Sequence, residues 1–167
     1  MTRRPDPAIL ARMATTPRIL HVIANDIRSR ENTGALFRTC EFLGATKLWL
    51  TGYTPAPPDP KLLKVALGAV QGVAWERVTD VREAIRRLKE DEVEIVGLEI
   101  ADGAEDLAEA SLSDHVALLL GNEVTGIPPS LLALCDRIVM IARKGTKESL
   151  NVGVAAGIAI WAMDMKR

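Results

Sequence analysis

His115-Val-Ala-Leu-Leu-Leu120-Gly121-Asn122-Glu123-Val-Thr-Gly126-Ile-Pro128 is the stretch whose reading decides the fold. The run 116–120 is apolar without interruption, the pattern of a strand buried on both faces of a parallel sheet. It breaks at Gly121, where a missing Cβ lets backbone come close to a ligand, and the turn that follows carries a carboxylate, Glu123. Ligands of parallel α/β sheets sit beyond the carboxyl ends of the strands, so Glu123 is placed to face one. The competing reading is a structural turn with a solvated glutamate.

Working outward, further strand-like runs at 18–24, 47–51, 74–78, 94–99 and 137–142 bring the count to six. Helical patterns lie between them at 33–43, 60–67, 81–90, 128–135 and 151–163, with Val81, Ala84, Ile85 and Leu88 on one helical face. Such alternation predicts an α/β fold: a mostly parallel six-stranded sheet with helices on both faces. The proline-rich segment 51–60 lies between closely spaced elements and is read as a loop, not a linker. The expected organisation is one domain over 18–167 behind a short basic arm over 1–17.

With 167 residues, 48% hydrophobic and 26% charged, the composition is globular and excludes disordered, collagen-like and low-complexity classes. The longest uncharged stretch, 149–163, is shorter than the roughly 20 apolar residues of a membrane span, and no apolar signal segment follows the first arginines. A soluble cytoplasmic protein without membrane association is therefore expected. Cys40 and Cys135 stand alone in apolar helical patterns and read as core thiols rather than a disulfide or metal site. Charge is uneven behind its formal total of −1: residues 1–38 hold seven arginines against three acids, whereas residues 76–109 hold twelve acids against five bases. The arginine-rich end suits phosphate and the acidic stretch suits solvent.

The common fingerprints GxGxxG, GxxxxGK[ST], HExxH and CxxC do not occur, which removes the main support for standard dinucleotide, P-loop and zinc readings. His21 and His115, both on predicted strands, read as structural histidines, so no metal is expected. Two further polar segments remain. In Asn32-Thr-Gly-Ala-Leu-Phe-Arg38 the two polar ends are read as sharing a side of the helix that begins there, with Arg38 paired or aimed into a cleft. Alternatively Asn32 is an N-cap and Arg38 snorkels. In Ile138-Val-Met-Ile141-Ala-Arg143-Lys144-Gly-Thr-Lys147-Glu-Ser149-Leu150-Asn151 a strand passes into a basic loop and the start of a long apolar helix. Capping accounts for Ser149 or Asn151 but not for the basic loop.

In this order, Asn32-x5-Arg38, Gly121-Asn-Glu123 and Ser149-Leu-Asn151 resemble motifs one, two and three of the SpoU (TrmH-like) class of SPOUT RNA methyltransferases, over residues 19–163. The resemblance implies an α/β SPOUT fold with a deep C-terminal trefoil knot, S-adenosylmethionine (SAM) bound in the knot, and a homodimer whose active site draws on both subunits. The implied reaction is methyl transfer to a ribose 2′-hydroxyl of tRNA or rRNA. Arg38 takes the place of the catalytic arginine, with Asn32, Glu123, Ser149 and Asn151 around it. Leu98, Gly121, Ile141 and Leu150 would hold the cofactor mainly through backbone, helped by Ser149. The chain departs from the family at Ala142-Arg143, where Pro-Met is usual after the isoleucine. The chain is expected to act without the additional N-terminal RNA-binding domain of some members, with the arginine-bearing arm and the knot face meeting RNA. The alternative reading is a catalytically silent SAM-fold RNA-binding or assembly factor; a small-molecule enzyme unrelated to RNA is a third. Gly153 and Gly157, about one turn apart, suit close helix packing inside the subunit or between subunits.

Overall fold

The computed structural model describes residues 19–165. The expected arm over 1–17, and Arg18, lie outside the described residues. Seven strands form one sheet in the order β3-β2-β1-β6-β4-β7-β5, every neighbouring pair parallel. These are β1 (Ile19–Asn25), β2 (Lys47–Thr51), β3 (Ala74–Val78), β4 (Glu94–Leu98), β5 (Glu105–Asp106), β6 (His115–Leu120) and β7 (Arg137–Met140). Between them run α1 (Arg30–Phe42), α2 (Pro60–Ala66), α3 (Val81–Glu90) and α4 (Pro129–Leu132), and α5 (Val152–Met165) follows the last strand.

The seventh strand corrects the six-strand expectation. β5 is a two-residue acidic edge strand paired only with β7, too short and too polar to leave an alternating pattern. β7 ends at Met140, not at residue 142, because its ladders run out where Val139 pairs with Leu98 and Met140 with Asp106. The helix expected over 128–135 is a single turn: Leu134 and Cys135 donate to the carbonyls three residues back and tighten the chain into β7.

β6 lies between β1 and β4 at the centre of the sheet. Its alternate residues divide between two cores. Val116, Leu118 and Leu120 pack with Leu36, Phe37, Leu62, Ala156 and Ile160 of α1, α2 and α5. Ala117 and Leu119 pack with Ala84, Ile85 and Leu88 of α3 and Leu131 of α4. A strand covered on both faces must be apolar throughout, which is why 116–120 reads as it does. Burial pushes the Cys40 thiol up to about 12 and, with the neighbouring Asp136 carboxylate, the half-buried Cys135 thiol up to about 11, as suits inert core thiols. His21 accepts a hydrogen bond from Trp49 Nε1 at 3.2 Å. Burial first and Lys47 second lower its pKa to about 4, so it is neutral at physiological pH and structural.

Candidate active site

α1 starts at a serine cap: Ser29 Oγ accepts from the Asn32 N–H at 3.1 Å. Asn32 is therefore inside the first turn, not the cap, and its amide is free for other work. Its Nδ2 donates to Glu123 Oε1 at 2.8 Å, and its Oδ1 accepts from Asn151 Nδ2 at 2.9 Å. Asn151 in turn caps α5, its Oδ1 accepting from the N–H groups of Gly153 and Val154. One hydrogen-bonded chain thus joins the start of α1, the turn after β6 and the start of α5, which are 91 and 119 residues apart along the sequence.

Glu123 also accepts the backbone N–H groups of Arg28 at 2.8 Å and Ser29 at 3.1 Å. Burial by itself would raise its pKa; the hydrogen bonds from Arg28, Asn32 and Ser29 outweigh that and hold the carboxyl below its usual value. Both oxygens are occupied, so this glutamate is an anchor that stays ionised and accepts no proton at neutral pH.

Beside this chain, at the carboxyl ends of β4, β6 and β7, a cavity of about 660 Å³ opens. Leu98, Gly121, Ile141, Ser149 and Leu150 all line it, and Glu123 stands on its wall. A Cβ on Gly121 would stand 2.5 Å from Ile127 N and equally close to the Gly126 backbone, so only glycine fits where the two arms of the turn touch. Glu99, which sequence reasoning passed over, holds that turn from below. Its Oε2 accepts from the Ile127 N–H at 2.8 Å and its Oε1 from the Ile100 N–H at 2.9 Å. Its signal was a lone carboxylate at the end of an apolar strand. Arg143, Lys144 and Lys147 also line the cavity, exposed and without a side-chain partner among the described residues.

Arg38 is not in this cavity. It is exposed and lines a second one, of about 800 Å³, with Ala35, Phe42 and Leu67 between α1 and the end of α2. The expectation that Asn32 and Arg38 share a helix side is corrected. Two turns take about 7.2 residues, so a six-residue step falls about 120° short of alignment. The stripe of α1 that meets α5 runs through Asn32, Ala35 and Thr39: a Cβ on Gly153 would touch Ala35, and one on Gly157 would touch Thr39. Both glycines therefore pack α5 against α1 of the same chain. Among the described residues no group of His, Cys, Asp or Glu could hold a metal ion, and no helix is long and apolar enough to cross a membrane.

The SpoU rRNA Methylase family model matches residues 19–161. The chain is 32% identical over 152 residues to the 23S rRNA (guanosine-2'-O-)-methyltransferase RlmB of Neisseria meningitidis serogroup B, covering 91% of this chain and 60% of that relative's length. Its fold is similar to that of the SpoU methyltransferase AviRb of Streptomyces viridochromogenes, solved with AdoMet, at a TM-score of 0.83 and 26% identity over 95% of this chain and 61% of that one. A chain solved in work on 2-OH methylation of C/U34 on tRNA is similar at a TM-score of 0.79 and 26% identity, over 87% of this chain and 94% of that one.

Proposed function

The chain belongs to the SpoU rRNA Methylase family, and on that premise we propose that it transfers a methyl group from SAM to a ribose 2′-hydroxyl of tRNA or rRNA. The observation that carries the reading is the Glu123–Asn32–Asn151 hydrogen-bonded chain standing on the rim of the 660 Å³ cavity. Three separated polar motifs converge there without any core that needs them. The cavity suits the cofactor. Its volume lies within the range of about 300–1,000 Å³ common for small-molecule sites. Leu98, Leu120, Ile141 and Val152 offer apolar walls to an adenine, and the backbone past the end of β7 has no ladder partner.

Bound there, SAM supplies an electrophilic methyl whose bond to sulfur breaks as the bond to the ribose oxygen forms, leaving a neutral thioether. The protein's work is placement and charge. The glycine turn and its anchors fix the cavity, and the hydroxyl proton passes to water or an adjoining phosphate, since Glu123 is saturated. Arg38 grips the phosphate and steadies the developing oxyanion. A guanidinium is a poor proton acceptor at neutral pH, which favours this role over that of base.

Because Arg38 lines a different cavity from the one that suits SAM, the complete site takes Arg38 from a second copy. α5 supports a homodimer. Its inner face packs on α1, while Val154, Ile158 and Trp161, spaced at four and three residues, form an outer apolar stripe with Trp161 55% exposed. Trp161→Glu is expected to yield a species of one-chain mass at micromolar concentration and to abolish transfer. A wild-type mass of one chain under the same conditions would remove the shared site. The trefoil knot and a cytoplasmic location belong to the same reading, supported by the family match.

The deciding experiment incubates the protein with labelled SAM and RNA from cells lacking its gene, followed by nucleoside mass spectrometry. A labelled 2′-O-methyl nucleoside, absent with the Arg38→Ala variant, is the expected result, and its source RNA separates tRNA from rRNA. Confirmed SAM binding with no labelled nucleoside from that pool would favour the silent RNA-binding factor.

A further inference from the structure

Tyr53 follows β2 by two residues and is 59% exposed, yet both ends of it are held. Its hydroxyl accepts from Asn122 Nδ2 at 2.6 Å, and its backbone N–H donates to Asp26 Oδ1 at 3.1 Å. Asn122 is 8% exposed and fully used. The same Nδ2 donates to the Asp26 carbonyl at 2.8 Å, and its Oδ1 accepts from the N–H groups of Val124 and Thr125. One buried amide thus ties together the loops that follow β1, β2 and β6, and the exposed ring is locked to the residue preceding Glu123.

The ring belongs to neither hydrophobic core and lines neither cavity. Fixing an aromatic side chain and leaving its face to water gains little from burial and loses rotamer freedom. What it provides is a preorganised flat surface bonded to Asn122, which lines the cofactor cavity. Arg28 lies two residues past Asp26. Its N–H is bound to Glu123, and its exposed guanidinium has no partner among the described residues. An exposed aromatic ring and a free guanidinium, carried on the loops after β2 and β1 that Asp26 joins, match one chemistry in particular: an unstacked nucleobase with its phosphate.

Resting on the methyl-transfer reading above, we infer that Tyr53 is the stacking platform for an unpaired base at or next to the methylated ribose, and that Arg28 grips the adjoining phosphate. The hydroxyl bond to Asn122 serves to orient the ring relative to Glu123 and the cavity. Tyr53 is thereby a residue that selects single-stranded or looped RNA over duplex.

The test measures filter binding of labelled total RNA from cells lacking the gene, together with KM for RNA, KM for SAM and kcat. Tyr53→Ala is expected to weaken RNA binding and raise KM for RNA about 10-fold to 100-fold, the scale of one lost stacked base. KM for SAM and kcat at saturating RNA should stay within about twofold. Tyr53→Phe keeps the ring but not the bond to Asn122 and should stay within about threefold of wild type. Arg28→Ala should weaken binding and reduce the salt dependence by about one phosphate contact. Unchanged RNA binding by Tyr53→Ala overturns the inference, as does a Phe variant as poor as the Ala one. A rise confined to KM for SAM, or a one-chain mass for Tyr53→Ala, would reassign the ring to support of Asn122 or to the subunit contact. If wild type binds RNA through Tyr53 but transfers no methyl, the platform stands and the enzymatic reading falls; if wild type does not bind RNA, both fall.

Discussion

Arg38→Ala is expected to lower methyl transfer at least about 100-fold while leaving the affinity for SAM and the melting temperature close to wild type. The magnitude is that of removing one preorganised donor from developing oxyanion charge. The selectivity follows from position. Arg38 is exposed, its side chain makes no hydrogen bond or ion pair with the described residues, and it does not line the cavity that suits the cofactor. Deleting its side chain therefore leaves no buried partner unpaired and opens no hole in the core. Transfer with purified protein, SAM titration by calorimetry and a thermal melt measure the three quantities separately. A variant with normal turnover would remove Arg38 from the active site. Arg38→Lys sharpens the point. A lysine that restores turnover with a new basic limb in the pH–rate profile would make this position the proton acceptor. Inactivity across the whole profile is the expected outcome, because an ammonium cannot reproduce a planar bidentate grip.

Much of this was legible in the sequence, for a reason that can be stated residue by residue. The β6 segment could be read because a strand covered by helices on both sides has only apolar positions to fill, so Val116 through Leu120 leave no ambiguity. The grouping of Asn32, Glu123 and Asn151 is implied by the resemblance of their three motifs to the SpoU class; residue by residue, the sequence marks only three polar segments beside apolar elements. Other features left weaker traces. β5 has two residues and therefore no period. The side from which Arg38 acts depends on the stripe 32, 35 and 39 that α5 covers, which becomes visible once α5 is seen to cross α1. Gly34 read as part of a motif, whereas its missing Cβ is what lets α1 approach Val65 and Leu62 of α2. Tyr53 was hidden in a proline-rich loop. The available signal was an aromatic at the carboxyl end of a strand in a chain with only 4% aromatic residues.

Gly121→Ala is the substitution expected to disable the cofactor cavity itself. An added methyl there meets main-chain atoms of Gly126 and Ile127, at 2.5 Å from Ile127 N, and no side-chain rotation relieves it. The turn is closed by paired hydrogen bonds between Asn122 and Gly126 and anchored by Glu99 on Ile127, so one arm must shift as a unit. Overpacking of this kind costs about 1–3 kcal/mol. That predicts a melting temperature lower by about 5 °C for a chain of this size. The larger effect falls on SAM affinity, expected to drop about 100-fold, since a displacement of about 1 Å at a binding wall is enough for a loss of that order. Gly145→Ala is the matched control: an added Cβ there meets nothing within 4 Å, although Gly145 lines the same cavity. Near-wild-type SAM affinity in Gly121→Ala would show that the turn yields and that the close approach at Gly121 is not required. The two variants together also test which subunit supplies Arg38. In a dimer mixed from Arg38→Ala and Gly121→Ala chains, an arginine acting across the interface leaves one cavity intact and served by an intact Arg38. Statistical mixing should then restore about a quarter of wild-type activity, from half of the dimers with one working site each. An arginine acting within its own chain would restore none, because each subunit would carry one of the two defects.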